Sequence, residues 1–206
     1  MSAIFLSLQI ASIAVLTVMP VAICLARYLS QRRQLHVRVF VEAVVALPLV
    51  LPPVAIGYLL LILFSEYQIA FTRSAAIIAA CVVSLPLAVR SVRVSMENLN
   101  PHLEEAALNL GLSKWKTFCR ITLPLAWPGI LSGAVLVFIR SLGEFGATLM
   151  FAGNIEGQTR TLSIAMWNDL QSPGGEEGAF RLLVFSVIFS MLCLLLSEII
   201  VWKMRK

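Results

Sequence analysis

Charge is scarce in this sequence: only 13% of its 206 residues are Asp, Glu, Lys or Arg, against 59% that are hydrophobic. A soluble domain of this length needs far more polar surface to stay dispersed, so lipid is the expected solvent for most of the chain. Histidine is nearly absent. His36 and His102 stand alone, with no Cys or Asp beside them to complete a ligand set. The four cysteines have neither disulfide spacing nor a metal pattern. Cys24, Cys81 and Cys193 sit in apolar runs as small hydrophobes, and Cys119 lies in a central polar stretch. No catalytic residue, metal or cofactor is expected. The apolar N-terminus has no basic n-region before it, which favours a retained span over a cleaved signal peptide. Internal repeats and low-complexity tracts are also missing.

What the sequence does have is five apolar runs, at about 3–28, 39–64, 74–96, 128–151 and 179–202. Each approaches or exceeds the ~20 residues a helix needs to cross a ~30 Å hydrocarbon core. The expected fold is therefore all-α and membrane-integral, one domain over 1–206 with five spans. The third run is the weakest. Only 74–89 is free of charge, about 24 Å of helix, so either Arg90 extends its side chain to the headgroups or the span tilts little. The second run contains "LPLVLPPVAIGY", with Pro48, Pro52, Pro53 and Gly57. Each proline removes a backbone donor and crowds the preceding turn, so this helix is expected to kink or break. The carbonyls so freed must be covered by protein or by a wet cavity. Both a packing kink and a bend lining a pathway fit.

The net charge of +5 does not point to nucleic acid, because the basic residues cluster at the ends of apolar runs. Arg27, Arg32, Arg33 and Arg38 flank the first loop. Arg90, Arg93, Lys114, Lys116 and Arg120 follow the third run, and Lys203, Arg205 and Lys206 form the tail. If five spans alternate, these groups share one side and only Arg73, Arg160 and Arg181 reach the other. That asymmetry predicts an external N-terminus, with the central stretch and the C-terminus in the cytoplasm. The external loop over 152–178 is rich in turn residues around a short helix near 163–170.

The central polar stretch, 98–124, reads as a helical hairpin. Asn100 can cap a helix whose first residue is Pro101, and Glu104 and Glu105 lie near its positive end. Gly111 suits the left-handed position that ends a helix, and Ser113 can cap a second one from Lys114 to about Thr122. Pro124 and Pro128 close it before the next run. Such an element could rest on headgroups. The Ala106-Ala107 pair, read as small residues on an exposed side, favours a compact helix that fits a protein groove.

In the fourth run, Arg140 and Glu144 are one helical turn apart. Gly129, Gly133 and then Ala147 or Thr148 share their face, and Gly143 and Gly146 lie beside them. A charge at the bilayer centre costs at least ~2.5 kcal/mol, so both should face protein or water, and each other. They form either a structural ion pair or part of an anion pathway.

Glu105-Ala106-Ala107, three residues, Gly111, nine residues and then Ile121-Thr122-Leu123-Pro124 resemble the EAA signature of ABC importer membrane subunits. The resemblance implies that these residues form the coupling helix, docking in a cleft of a separate cytoplasmic ATPase. No G-x-x-x-x-G-K-S/T occurs in the chain itself. It further implies a type I importer fold in a bacterial inner membrane, a second permease copy, a path between the copies, and a periplasmic oxyanion-binding protein. "RSLGEFGATLMFAGN" is similar to molybdate and sulfate permeases, while "GQTRTLSIAMW", "SPGGEEGA" and "ALPLVLPPVAIGYLLL" resemble the molybdate branch. Glu156 stands where that branch commonly has proline. Molybdate is the implied cargo, with tungstate or sulfate/thiosulfate as alternatives. A membrane enzyme would need a paired acidic or metal-binding constellation, and none is visible. A stand-alone channel would have no use for the hairpin.

Overall fold

The computed structural model describes residues 3–31 and 35–204, so Arg32, Arg33, Gln34, Arg205 and Lys206 lie outside the described residues. Three helices form its core: α1 (Ala3–Gln31), α4 (Arg73–Glu97) and α8 (Trp127–Leu142). On α1, Leu6, Ile10, Ala14, Val18, Ala22 and Ala26 recur every fourth residue, and none is more than 3% exposed. On α4, the matching row is Ala76, Ala80, Ser84, Ala88 and Val92, at most 1% exposed. Small side chains let backbones approach closely, which is how helices associate where no water is present to drive them together. The Ser84 hydroxyl, buried in this seam, donates to the Ala80 carbonyl at 2.7 Å.

The second apolar run is not one helix. It divides into α2 (Leu35–Val50) and α3 (Pro53–Leu63), bent by 110° at Leu51–Pro52. Pro52 and Pro53 both lack an N–H, and a proline pushes the residue before it out of the helical region. Pro48 lies within α2 without ending it. No residue of α2 is buried in the chain.

The fourth run is also interrupted, contrary to the single helix expected over 128–151. α8 ends at Leu142, and α9 (Gly146–Ala152) begins after three intervening residues. Ala147 and Thr148 therefore do not continue the face of Gly129 and Gly133. Before α8 the chain bends by 68° at Ala126. Two α4 hydroxyls tie α4 to the bend: Ser95 Oγ donates to Ala126 O at 3.3 Å, a carbonyl that also accepts from Gly129 N and Ile130 N, and Ser91 Oγ donates to Gly129 O at 2.9 Å. Three described helices are long and apolar enough to cross a membrane alone: α1, α4 and α11 (Glu176–Met204). The count reaches five if each bent pair is one span.

The expected short helix near 163–170 is present as α10 (Leu162–Leu170). The segment around it is tied down by side chains. Arg160 Nε donates to Asn154 Oδ1 at 2.8 Å, and Leu162 N donates to Ser7 Oγ at 2.7 Å, which joins it to the start of α1. Arg73 reaches the Gly157 carbonyl at 2.9 Å.

Candidate functional site

Local chemistry builds the central hairpin. α5 (Pro101–Asn109) starts at Asn100, whose side chain accepts from His102 N at 3.0 Å, with Pro101 first in the helix. It ends in a Schellman motif, where Leu112 N donates to Ala107 O at 3.1 Å and Gly111 N to Leu108 O at 3.0 Å. Gly111 holds φ +86°, in the left-handed region, and a Cβ there would meet nothing within 4 Å. Ser113 Oγ then accepts from Lys116 N at 3.4 Å to start α6 (Lys114–Thr117). A π-helical turn (Phe118–Thr122) and the three-residue α7 (Leu123–Leu125) lead into the 68° bend.

The hairpin has an inner and an outer side. Glu105 points out, its side chain 67% exposed, with His102 Nδ1 at 3.2 Å. Ala106 and Pro124 are exposed too, and the tip carries Leu110, 82% exposed, and Trp115. Ala107 turns inward and is buried, so the alanine pair does not form a single exposed small-residue face. The reason is helical geometry: neighbours on a helix differ by about 100° in direction, and α5 packs on α6 and the π turn. Ile121 and Leu123 are half-buried.

Glu104 and Glu105 part company in the same way. Glu104 faces the hairpin's second arm, where it accepts a hydrogen bond from Thr122 Oγ1. Its carboxylate also lies 3.9 Å from Arg27 Nη1 on α1.

A second cluster lies where the two broken runs meet. α3 packs on α9 so tightly that a Cβ on Gly57 would lie 2.6 Å from the Ala147 carbonyl oxygen. A Cβ on Gly146 would lie 3.0 Å from Pro53 Cβ. Glu144 sits in the gap between α8 and α9, and is 2% exposed. One of its oxygens pairs with Arg140 Nη1 at 2.5 Å, and the other accepts from Ala147 N at 2.9 Å. Arg140 is in the last turn of α8 and Glu144 precedes the first turn of α9. Each charge therefore complements the helix end beside it. Ser163 Oγ takes up the Leu142 carbonyl at 3.3 Å. The pair bridges the two helix ends, and Gly143 is the exposed residue at the break.

A third cluster was read from sequence only as basic topology markers. Arg38 lies 2.8 Å from Glu42 and 2.7 Å from Glu97, while Arg93 pairs with Glu42 and lies 3.5 Å from Glu97. This four-charge ring ties the start of α2 to the end of α4. Among the described residues, no group of three or more His, Cys, Asp or Glu could hold a metal ion.

The profile of the family described as "Binding-protein-dependent transport system inner membrane component" matches residues 7–206. This chain belongs to that family. Among curated relatives, the molybdenum transport system permease protein ModB of Haemophilus influenzae is 45% identical, over 100% of this chain and 95% of its own length. ModB of Escherichia coli K12 is 46% identical, over 95% of this chain and 91% of its own. A Bacillus subtilis relative, YvgM, carries the name of a molybdenum transport permease by inference and is 37% identical over 93% of this chain and 89% of its own. Among solved structures, an inward-facing MetNI methionine ABC transporter superposes with a TM-score of 0.77 at 18% identity, covering 97% of this chain and 93% of that one. A bacterial alginate ABC transporter, in complex with its alginate-bound periplasmic protein, gives 0.76 at 18% identity, covering 99% and 78%. The fold is that of type I ABC importer membrane subunits.

Within a binding-protein-dependent transport component, seven of the signature residues group by side, and the eighth, Thr122, is buried against Glu104. Glu105, Ala106, Gly111 and Pro124 are exposed on the hairpin, while Ala107, Ile121 and Leu123 pack it together. Pro53, Gly146, Glu144 and Arg140 converge at the two helix breaks, whereas Pro48 remains in the body of α2. From sequence, only Arg140 is paired with Glu144, and not Arg27 with Glu104 or the ring of Arg38, Glu42, Arg93 and Glu97. One signal was available: Arg38-x-x-x-Glu42 and Arg93-x-x-x-Glu97 repeat the spacing of Arg140 and Glu144. That spacing places the charges on one helix face.

Proposed function

We propose that this chain is the membrane subunit of an ATP-driven importer for molybdate. The observation that carries the reading is the hairpin, which presents Glu105, Ala106 and the Gly111 turn outward while its other face is fixed to the bundle. In this reading that surface enters a cleft of a separate cytoplasmic ATPase, a periplasmic binding protein delivers the oxyanion, and no nucleotide binds the chain itself. The names of the 45% and 46% identical relatives favour molybdenum as cargo. The test is uptake into proteoliposomes holding the chain, its ATPase and its receptor. Labelled molybdate should enter only with ATP, and excess sulfate should not compete. Equal competition by sulfate or thiosulfate would move the cargo to that class. Entry without the ATPase would indicate a channel.

Two copies pair in this reading, with the path between them. The apolar, unburied surface of α2, where Val50 is 81% exposed at the elbow, supports a partner there. A native mass of the purified complex with one permease copy would contradict it.

The N-terminus is assigned outside and the hairpin and C-terminus to the cytoplasm. In support, the basic residues expected on one side lie together: Arg27 beside the hairpin, and Arg38 beside Arg93 and their shared acids. Arg73 and the loop at Gly157 lie together at the opposite end of α4. The external segment 152–178 is assigned as the receptor's docking surface, because its turns are held in shape by side-chain bonds. A cysteine at Gly174 should react with an impermeant reagent in intact cells, and loaded receptor should block that reaction. One at Gln31 should react only after permeabilisation. The reverse pattern would overturn the orientation, and labelling indifferent to receptor would remove the docking assignment.

A further inference from the structure

We propose that Arg27 is a positioning residue that clasps the hairpin to the first membrane helix, so that α1 and the hairpin move as one body. The inference rests on the coupling role given to the hairpin above. The hairpin is already covalently continuous with α4 at one end and α8 at the other. α1 has no such link, since Arg27 and Lys114 are 87 positions apart in the chain. Packing on α4 and α8 ties α1 to the bundle, and a polar contact from α1 to the hairpin would tie it to the hairpin directly.

The Arg27 guanidinium makes three contacts on the hairpin, and they fall on different parts of it. Nη1 is 3.9 Å from the Glu104 carboxylate on α5. Nη2 donates to the Lys114 carbonyl on α6 at 3.4 Å. The flat face lies over the Phe118 ring of the π turn, with Cζ 4.1 Å from its centroid. Glu104 in turn accepts from Thr122, at the far end of that turn. The side chain is only 17% exposed, and Phe118 beneath it is buried. A planar group with donors at its edge and a π face suits all three contacts, whereas an ammonium ion is a single point of charge. α1 then passes the motion on, because its buried row packs directly against α4 and α8.

Three single variants, one double variant and one distance test this in the whole complex of permease, ATPase and receptor. Arg27→Gln should co-purify with the ATPase in normal amount, yet import about tenfold less molybdate per ATP hydrolysed. Arg27→Lys should fall between, keeping the charge but not the planar contacts. Glu104→Gln should lower the ratio less, and adding it to Arg27→Gln should cost nothing more, because the charge pair it removes is already gone in Arg27→Gln. A merely structural arginine would lower both uptake and hydrolysis with the amount of complex and leave their ratio unchanged.

The distance needs no transport at all. Spin labels at Gln31 and Lys116 should report one narrow separation through every nucleotide state in the unmodified complex, and a broad one in Arg27→Gln. A separation that changes with nucleotide in the unmodified complex, or stays narrow in Arg27→Gln, overturns the clasp. A normal import ratio for Arg27→Gln also overturns it when Gly111→Asp in the same assay is uncoupled. If Gly111→Asp is itself normal, the coupling role of the hairpin fails instead.

Discussion

Replacing Gly111 with aspartate should leave the chain in the membrane at its normal level while ATP-dependent uptake is lost. Gly111 is at the left-handed position of the Schellman turn, with φ +86°. A side chain there costs roughly 1 kcal/mol in backbone strain. Nothing in the chain lies within 4 Å of where the Cβ would stand, so no internal clash is added. One kilocalorie does not unfold a bundle whose α1–α4–α8 seam is fully buried. It is enough to misdirect a nine-residue docking helix. The new carboxylate would also stand beside Leu110, on the surface assigned to the ATPase cleft. Asparagine, which tolerates the left-handed region, should do less harm than aspartate at nearly the same volume. Glu105→Lys should act in the same direction, because Glu105 pairs with His102 and its charge faces outward. The readouts are co-purification with the ATPase and molybdate uptake. Full co-purification with normal uptake for Gly111→Asp would show that the hairpin is not the coupling element.

Arg140→Ala should have the other large effect, on assembly. It strands Glu144, which is 2% exposed, without its counter-charge, and breaking such a buried pair typically costs ~3–5 kcal/mol. The geometry also determines which double variant is informative. Glu144 Oε1 accepts from Ala147 N, so Arg140→Ala with Glu144→Ala removes the ion pair and leaves a helix start unsatisfied. Arg140→Gln with Glu144→Gln keeps an acceptor for that N–H and removes both charges. This double variant should restore the amount of assembled complex if the pair splices α8 to α9. If it assembles and imports nothing, Arg140 serves the anion path as well. A single Arg140→Ala variant with normal assembly and transport refutes both roles.

The hairpin was the most legible part of the sequence because its determinants are local. A cap residue, a proline at the first helical position and a glycine at the turn each act within four residues, and each does what its type implies. The break in the second run was equally legible in Pro52 and Pro53, but its 110° angle was not. At that angle Gly57 lies against α9, a contact between segments far apart in the chain. The break after Leu142 escaped for the same reason. Gly143 alone does not stop a helix, and the gap is stabilised by Glu144 bridging its two ends and by Ser163 from a later helix. Arg27 and Arg38 were read only as basic residues at a membrane edge, because their partners Glu104 and Glu97 lie in other helices.

The central claim is that ATP hydrolysis in another subunit moves this chain through the hairpin. The most direct test places a single cysteine at Leu110, 82% exposed at the tip, in a chain with Cys24, Cys81, Cys119 and Cys193 replaced. A short bifunctional reagent is then applied to the actively importing complex. The cysteine should cross-link to the ATPase subunit in high yield, the yield should change with the bound nucleotide, and the cross-linked complex should stop importing molybdate. A complex that imports normally while Leu110Cys remains freely labelled and never joins the ATPase would contradict the account.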